Sequence, residues 1–386
     1  MTLTAPRQSF LSRHFNAIVL FCCWAIVQSF LFYKYGIQTD LEAAKYIFEA
    51  DNLLKNGTVS TANYWLYITQ ISLIAIVLKL KTGFFLVYLV QLFFNWIATL
   101  VFYRFLLNIS NKLTGLILTL FLIFNTPIQT FNSFLQTESL FYSFTIIFSC
   151  YLLQIQKLTT KTITLLFLLL LLVCFTRPTG LLFVPGIFLY LFFKFARSLS
   201  TLAKVSITII GSILFLFFLN AALGSGGELD FMLPYRDERI ICGVPTLTYL
   251  RDVQTSDNPN SVFGLLYYIT HNAGQFTRLA LLRSKAFFGL ARPYYSNGHN
   301  LYLYLYFFPF YLLMLFSLRK WFVRNKYILL YCITVIAVTW LSVILTCDDW
   351  HNRFFLSVVP YIYILSAPAV QTITDKLKTN DSKRSI

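Results

Sequence analysis

Residues 14–57 read HFNAIVLFCCWAIVQSFLFYKYGIQTDLEAAKYIFEADNLLKNG, an apolar run followed directly by an acidic segment. The apolar part, 14–35, has the length of a helix that crosses a hydrocarbon core of ~30 Å, which takes about 20 residues. No small-residue cleavage site follows it. We therefore interpret this run as a retained membrane span rather than as a removed signal peptide.

The composition of the whole chain agrees with a membrane protein. Its 386 residues are 58% hydrophobic and 18% aromatic, and only 12% are charged, whereas soluble domains carry about 25% charged residues. The apolar runs are continuous rather than alternating, which favours helices over a β-barrel. The sequence predicts an all-α polytopic membrane protein.

The net charge of +16 does not indicate a nucleic-acid partner. The lysines and arginines stand in short clusters between apolar runs, as in loops that orient a membrane protein. We predict membrane lipids, and no nucleic acid, as partners.

Hydropathy predicts about ten spans. They lie near 14–35, 84–103, 113–128, 139–156, 163–176, 180–195, 205–222, 301–318, 327–346 and 354–371. A further run at 64–80 is short and is interrupted by Gln70 and Ser72. There are eleven spans if it crosses the membrane, and ten if it is an amphipathic surface helix of the first outer loop.

The positive-inside rule favours ten spans with both termini in the cytoplasm. Every short inside loop is then basic, whereas eleven spans would put Lys157 and Lys161 outside. The prediction is one integral membrane domain, 1–374, with large outer loops at 36–83 and 223–300. Residues 375–386 form a basic cytoplasmic tail, expected to be solvated and disordered.

Two further expectations concern the outer loops. The amphipathic stretch 261–290 is expected to lie in the headgroup plane, with Arg278, Arg283 and Lys285 facing phosphates. Five cysteines lie in apolar runs and are expected to pack as small hydrophobic residues. Cys242 and Cys347 fall in polar connections, and the sequence leaves open whether they form a disulfide.

Four polar clusters are predicted to meet the outer leaflet. Singly, such residues cap helices or snorkel to the interface. Jointly, carboxylates can activate a hydroxyl nucleophile and arginines can bind a phosphate. The clusters are Asp40 with Glu42; the helix break 125–141 with Glu138; "FTRPTG" (175–180) with Arg177; and "CDDWHNRFF" (347–355) with Asp348, Asp349, His351 and Arg353.

These pieces resemble the GT-C superfamily of glycosyltransferases. The chain is most similar to its family-39-like branch, which contains protein O-mannosyltransferases and the lipid A aminoarabinose transferase. The matching elements occur in the family order. They are an Asp soon after the first span, then Tyr46, Ala50, "NLL" (52–54) and Gly57, "KLKTG" (79–83), "NTP" and "TESLF" within 125–141, "TRPTG" (176–180) and "RFFLSVVPYIYIL" (353–365). The chain departs from the pattern at Leu41, which separates the two acids that many relatives have side by side.

The resemblance implies an inverting glycosyltransferase at the outer face of a bacterial inner membrane. Its donor would be a polyprenyl-phosphate monosaccharide and its acceptor a lipid, a glycan or a protein. Asp40 would be the general base, and Arg177 and Arg353 would stabilise the phosphate. The other expected substrate-binding residues are Glu42, Glu138, Asp349 and His351. No cofactor or metal is expected, although Asp40, Glu138 and Asp349 leave room for a divalent cation.

Two other classes stay as alternatives. An O-antigen polymerase or ligase also has about ten spans, but it concentrates function in a large outer loop rather than in an acidic helix after span one. A lipid or solute transporter places its charges near the bilayer midplane, often in two related halves. The acidic segment at 35–57 favours the glycosyltransferase over the polymerase or ligase, and the charges at one face without a visible repeat make a transporter the weaker alternative.

Overall fold

A computed structural model describes residues 10–196, 200–223, 232–244 and 246–384. Within them lie fifteen α-helices and three short 3-10 helices. The α-helices are α1 (Phe10–Tyr35), α2 (Glu42–Asn56), α3 (Ile68–Leu80), α4 (Phe85–Ile109), α5 (Lys112–Ile123), α6 (Thr126–Gln129), α7 (Glu138–Gln154), α8 (Thr160–Thr176), α9 (Val184–Phe195), α10 (Thr201–Leu223), α11 (Leu233–Arg236), α12 (Val262–His271), α13 (Ala273–Gly289), α14 (Asn297–Leu345) and α15 (Arg353–Arg384). The 3-10 helices are Ala62–Tyr67, Thr130–Ser133 and Pro178–Phe183.

The protein is an all-α membrane protein. Among the described residues, six helices are long and apolar enough to cross a membrane, or seven if the bent pair Lys112–Ile123 and Thr126–Ser133 forms one span. The six are Phe15–Tyr35, Ala62–Leu80, Phe85–Ile109, Pro178–Phe195, Asn297–Leu345 and Arg353–Leu377.

The prediction of ten spans differs from this count for identifiable reasons. Two predicted spans lie within the 49 residues of α14, where Asn325 is non-helical. The predicted spans at 139–156 and 163–176 correspond to α7 and α8, which have 17 residues each. The count of ten stays a prediction, and the run at 64–80 is long enough to count among the six.

The acidic segment after α1 folds as a helical hairpin with its own apolar core. Glu42 occupies the first turn of α2, where the helix dipole favours a negative charge. Gly57 ends the helix in the left-handed region, at φ 72°. Ala43, Tyr46 and Ala50 recur at helical spacing and share a buried core with Ile71 and Ile74 of α3.

The chain divides into two compact units. The first contains the described residues of Met1–Leu181, Leu313–Trp321 and Tyr363–Ile386. The second contains those of Leu182–Leu312 and Phe322–Ile362. The candidate residues from Asp40 to Arg177 belong to the first unit, and those from Asp348 to Arg353 belong to the second.

The C-terminal tail corrects one expectation. Helix α15 continues through residues 375–384, so this part of the predicted disordered tail is helical. Its first residue, Asp375, accepts a hydrogen bond of 2.8 Å from the Asn111 side chain.

Candidate functional site

Backbone pairing in the first unit fixes the position of the acidic segment. The amide of Gln38 donates to the Ser133 carbonyl at 2.8 Å, and the amide of Leu135 donates to the Gln38 carbonyl at 3.1 Å. Gln91 of α4 supports this junction by donating to the carbonyl oxygens of Phe134 and Gln136. The chain that leads to Asp40 therefore lies beside the chain that leads to Glu138.

Asp40 is exposed, and its carboxylate makes no hydrogen bond or ion pair with the described part of the chain. The next residue, Leu41, has φ 57° and ψ −124°, a backbone conformation that residues with a Cβ rarely adopt. Glu42 follows as the half-buried first residue of α2. The two acids are thus joined by a strained residue, and such strain is concentrated at functional sites in proteins.

Glu138 reaches its position because the chain breaks before α7. The Asn125 side chain accepts a hydrogen bond from the Ile128 amide, and Pro127 stands at the start of α6. Together they begin a new helix, which lies at 55° to the preceding span. After Phe134, which is extended, and a bend at 135–137, Glu138 opens α7 and is completely buried.

Arg177 is placed by the two residues that make "TRPTG" distinctive. Pro178 disfavours the α conformation of the residue before it, and Arg177 is accordingly extended, at φ −158° and ψ 138°, where α8 ends. Gly180 packs so closely on α8 that an added Cβ would lie 2.8 Å from the Val173 carbonyl oxygen. The sequence therefore holds the chain on both sides of Arg177.

The structure joins Arg177 and Glu138 in an ion pair. Arg177 Nη1 donates to Glu138 Oε1, and the side chains are 14% and 0% exposed. Thr137 donates to the other carboxylate oxygen at 3.4 Å. Burial raises the pKa of Tyr46, whereas the Arg177 charge and the Thr137 side chain act to lower it. One predicted anion and one predicted cation thus meet beside a buried tyrosine.

Several buried polar atoms near this pair lack a partner in the described residues. The side-chain oxygens of Gln91 and Gln136 and the Ser133 hydroxyl make no hydrogen bond there. All three lie at the junction that carries the chain to Glu138. Such atoms are uncommon in native proteins and require an explanation beyond stability.

For Glu49 and Asp51, the later acids of the segment after the first span, the sequence predicts a solvated helix face, and for Glu49 this prediction is wrong. It is 2% exposed, and its carboxylate accepts hydrogen bonds from both the amide and the hydroxyl of Ser60. Glu49 therefore closes the turn after α2. Asp51 does match the expectation, because it forms an exposed ion pair with Lys55.

The acids after α14 lie in the second unit, where Asp348 meets an arginine that the sequence analysis did not select. Arg292 Nη2 donates to Asp348 Oδ2 at 2.5 Å, with side-chain exposures of 1% and 0%. Arg292 also donates to the carbonyl oxygens of Ala286 and Asp349. Burial raises the pKa of Asp348 to about 6, although Arg292 acts to lower it.

Asp349, His351 and Arg353 are brought together at the start of α15. Asp349 Oδ1 accepts from the His351 amide at 3.0 Å and from Arg353 Nε at 2.7 Å. The His351 ring lies against the Trp350 ring, with 3.8 Å between centroids and a tilt of 40°. Arg353 is 4% exposed. The Asp349 carboxylate already binds its guanidinium.

The stretch 261–290 is less exposed than predicted. Arg283 is completely buried and donates to the carbonyl oxygens of Pro234, Arg239 and Ile344. Arg278 pairs with Glu238. Burial raises the pKa of Glu238, but hydrogen bonds from Arg278 and Arg251 outweigh it and the net direction is down. Of the three predicted cations, Lys285 is exposed and has no carboxylate partner in the part of the chain that the structure describes.

The described residues contain no group of three or more His, Cys, Asp or Glu side chains that could hold a metal ion. Asp40 and Glu138 lie in one unit and Asp349 in the other. Two of the three acids are already held by cations, Glu138 by Arg177 and Asp349 by Arg353.

Two residues of these clusters, Arg292 and Tyr46, were not predicted from the sequence to be site residues. The proline after Arg292 is the same local signal as the proline after Arg177, and it could have pointed to the second arginine. Tyr46 stands four residues after Glu42 on a helix, which puts both on one face. The disulfide that the sequence left open is present, between Cys242 and Cys347.

Comparison of the chain with protein-family models, with curated proteins and with solved structures finds no match.

Proposed function

We propose that this protein is a polyprenyl-phosphate-dependent glycosyltransferase of the GT-C type. It moves a monosaccharide, with inversion, to an acceptor hydroxyl at the outer face of a bacterial inner membrane. The observation that carries the proposal is Asp40, an exposed carboxylate that has no partner among the described residues. It lies next to a strained residue, beside the chain that leads to the buried Glu138–Arg177 pair.

Asp40 acts as the general base. An inverting transfer needs a carboxylate that removes the proton of the acceptor hydroxyl as the oxygen attacks the anomeric carbon. A carboxylate already engaged by a cation is a weaker base, because the neighbouring charge favours its ionised form. Among the acids assigned to the first unit, Asp40 meets this requirement, whereas Glu138 is held by Arg177.

Arg177 stabilises the phosphate of the leaving group. Its guanidinium has five N–H donors, and the bond to Glu138 Oε1 uses one of them. Glu138 fixes the direction of the guanidinium, and Glu42 orients the sugar or the acceptor. Preorganised donors of this kind are worth about 3–4 kcal/mol each in the transition state.

Asp349, His351 and Arg353 are kept as a second candidate substrate-binding group within their own unit. Arg353 is preorganised by Asp349 in the way that Glu138 preorganises Arg177. The buried arginines of the outer loop, Arg283 and Arg292, hold main-chain carbonyls. This is a structural role, and it favours the glycosyltransferase over a polymerase or ligase that works through that loop.

The disulfide supports the assignment of an outer face. Disulfides persist in oxidising compartments and are rare in the cytosol. Cys242 and Cys347 lie in the two connections that the charge pattern assigns to the outside.

The test is turnover of a radiolabelled undecaprenyl-phosphate monosaccharide by purified variants in detergent. Asp40→Asn removes the base at nearly constant shape, so turnover falls by about 10²–10⁴-fold. Asp51→Asn, an exposed acid of the same segment, keeps wild-type turnover.

Two outcomes contradict the proposal at different levels. Wild-type turnover by Asp40→Asn with loss in Glu138→Gln would assign the base to another carboxylate. Unchanged transfer in all of Asp40→Asn, Glu42→Gln and Glu138→Gln would remove the enzyme proposal itself.

A further inference from the structure

The Cys242–Cys347 disulfide joins two segments of the second unit that are 105 residues apart in sequence, with 5.2 Å between their Cα atoms. The backbones pair at the same place. The Cys242 amide donates to the Asp348 carbonyl at 2.7 Å, and the Asp348 amide donates to the Ile240 carbonyl at 2.8 Å. The covalent bond is therefore placed directly beside the most buried acid of the turn between α14 and α15.

The contacts of Asp348 show what this bond holds. Its main chain is bound by residues 240 and 242, and its carboxylate is bound by Arg292. Arg292 also reaches the Asp349 carbonyl, and Asp349 binds Arg353. The disulfide at Cys347 is thus followed by a continuous series of contacts, from Asp348 through Arg292 and Asp349 to Arg353. Arg353 belongs to the second candidate substrate-binding group.

Other contacts hold the base of the same loop without the disulfide. Arg283 binds the carbonyls of Pro234 and Arg239 together with that of Ile344. The Tyr235 hydroxyl donates to the Leu345 carbonyl. Beyond Arg239, the segment 240–242 is half-buried and residues 243–244 are exposed, so water competes for the two backbone hydrogen bonds that remain. Loss of the disulfide would release this segment and not the whole loop.

We propose that the Cys242–Cys347 disulfide is a covalent clamp that positions Asp348 on Arg292, installed by a disulfide-donating oxidoreductase in the compartment that the loop faces. One cysteine thiolate attacks the donor's disulfide to give a mixed disulfide, and the second thiolate displaces the donor. The two thiols of this protein lose two protons and two electrons, and the donor leaves as a dithiol. The clamp does not depend on the glycosyltransferase proposal.

The first experiment tests the chemistry in the full-length protein. Cells are quenched with N-ethylmaleimide under denaturing conditions, and the purified protein is reduced and labelled with a polyethylene glycol maleimide. Wild type should gain two labels after reduction and Cys242→Ser none, while Cys332→Ser, which removes a buried free thiol of the same unit, should still gain two. Two labels in Cys242→Ser, or none in wild type, would overturn the proposal.

The second experiment tests positioning by amide hydrogen exchange of the wild-type protein with and without reductant. Reduction should speed exchange of the Cys242 and Asp348 amides by roughly tenfold or more, as expected for local opening. Amides of α13 around Arg283 should not change. Equal exchange at Cys242 and Asp348 in both states would show that the backbone pairing needs no clamp. Because reductant acts on the folded wild type, the test does not depend on the folding of a cysteine variant.

Discussion

At Leu41 the chain accepts a backbone conformation that costs on the order of 1–3 kcal/mol. The side chain is 62% exposed, so packing at this position does not compensate the strain. Glycine would adopt φ 57° and ψ −124° without that cost. We infer that the strain is retained because it sets the directions of Asp40 and Glu42 relative to α2.

We therefore expect Leu41→Gly to separate stability from activity. Relief of about 1–3 kcal/mol of strain exceeds the entropic cost of glycine, about 0.5–1 kcal/mol, so the free energy of unfolding should stay level or rise. Turnover should fall, because Asp40 loses a fixed direction. The control is Lys81→Gly at the exposed end of α3, also at positive φ, which should leave turnover unchanged. A large loss of stability in Leu41→Gly would contradict the strain argument.

Asp348 gives the stability of the protein a defined pH dependence. The pKa of Asp348 is about 6 in the folded protein, whereas the ordinary pKa of an aspartate, expected in the unfolded chain, is 3.8. Between these values the folded protein keeps a proton that the unfolded chain has lost. The free energy of unfolding should therefore decrease as pH rises from about 4 to about 6, and stay level above. Two pKa units correspond to about 3 kcal/mol.

Asp348→Asn should remove this slope, because the amide does not titrate. The measurement is the unfolding midpoint of wild type and variant in detergent from pH 4.5 to 7.5. The difference between the two midpoints at each pH isolates the contribution of Asp348. Asp51→Asn should leave the slope in place. Parallel curves for wild type and Asp348→Asn would show that another group carries the pH dependence.

At the scale of elements, the Glu138–Arg177 pair connects the start of α7 to the residue after α8. Removing one partner of a buried pair leaves an uncompensated charge and costs about 3–5 kcal/mol. The more damaging single change should be Arg177→Met, because Glu138 is completely buried whereas Arg177 is 14% exposed.

The double variant Glu138→Gln/Arg177→Met should be more stable than the sum of the single effects predicts. Coupling energies of contacting residues are about 0.5–3 kcal/mol, and reversible unfolding in mixed micelles would measure them. The exposed pair Asp51–Lys55 serves as the comparison. Replacing either of its residues alone should change the free energy of unfolding by no more than about 0.5 kcal/mol. Additive effects at Glu138 and Arg177 would mean that the ion pair does not couple α7 to α8.

Elements were more predictable than contacts. Apolar runs indicated the long helices, and "TRPTG" indicated where α8 ends, because proline and glycine act locally on the backbone. The sequence did not show that Glu138 and Arg177, 39 residues apart, form a pair. It also misplaced Glu49 and Arg283, whose partners are a serine eleven residues on and main-chain carbonyls. Such partners leave no periodic pattern in the sequence.

For the whole molecule, contacts within the first unit bear on how many times the chain crosses the membrane. Asn111, between α4 and α5, donates to Asp375 near the end of the candidate span Arg353–Leu377, and Asn108 donates to Gln154 at the end of α7. Near the other ends of these helices, Gln38 pairs with Ser133 and Leu135. The basic residues Arg104, Lys112 and Lys376 accompany the first group, which the positive-inside rule assigns to the cytoplasm.

The pairing of Gln38 with Ser133 and Leu135 bears on whether the run at 64–80 crosses the membrane. Residues 38 and 133–135 must lie on one face of the membrane, so the chain between them crosses an even number of times. Helices α4 and α5 supply two crossings. A third crossing by Ala62–Leu80 would place the paired residues on opposite faces. Since α3 also shares a core with the polar helix α2, we expect it to lie at the surface.

Reporter fusions test this arrangement directly. A fusion after Asn108 should behave as cytoplasmic, with fluorescence from a green fluorescent protein and no alkaline phosphatase activity, because two crossings of α1 and α4 return the chain to the side of the N-terminus. A fusion within 246–260 should show the reverse, since that loop is joined to the segment that carries the disulfide. An external reading after Asn108 would mean that Ala62–Leu80 crosses. The Gln38 pairing would then be impossible in a membrane, and with it the proposed approach of Asp40 to Glu138 and Arg177.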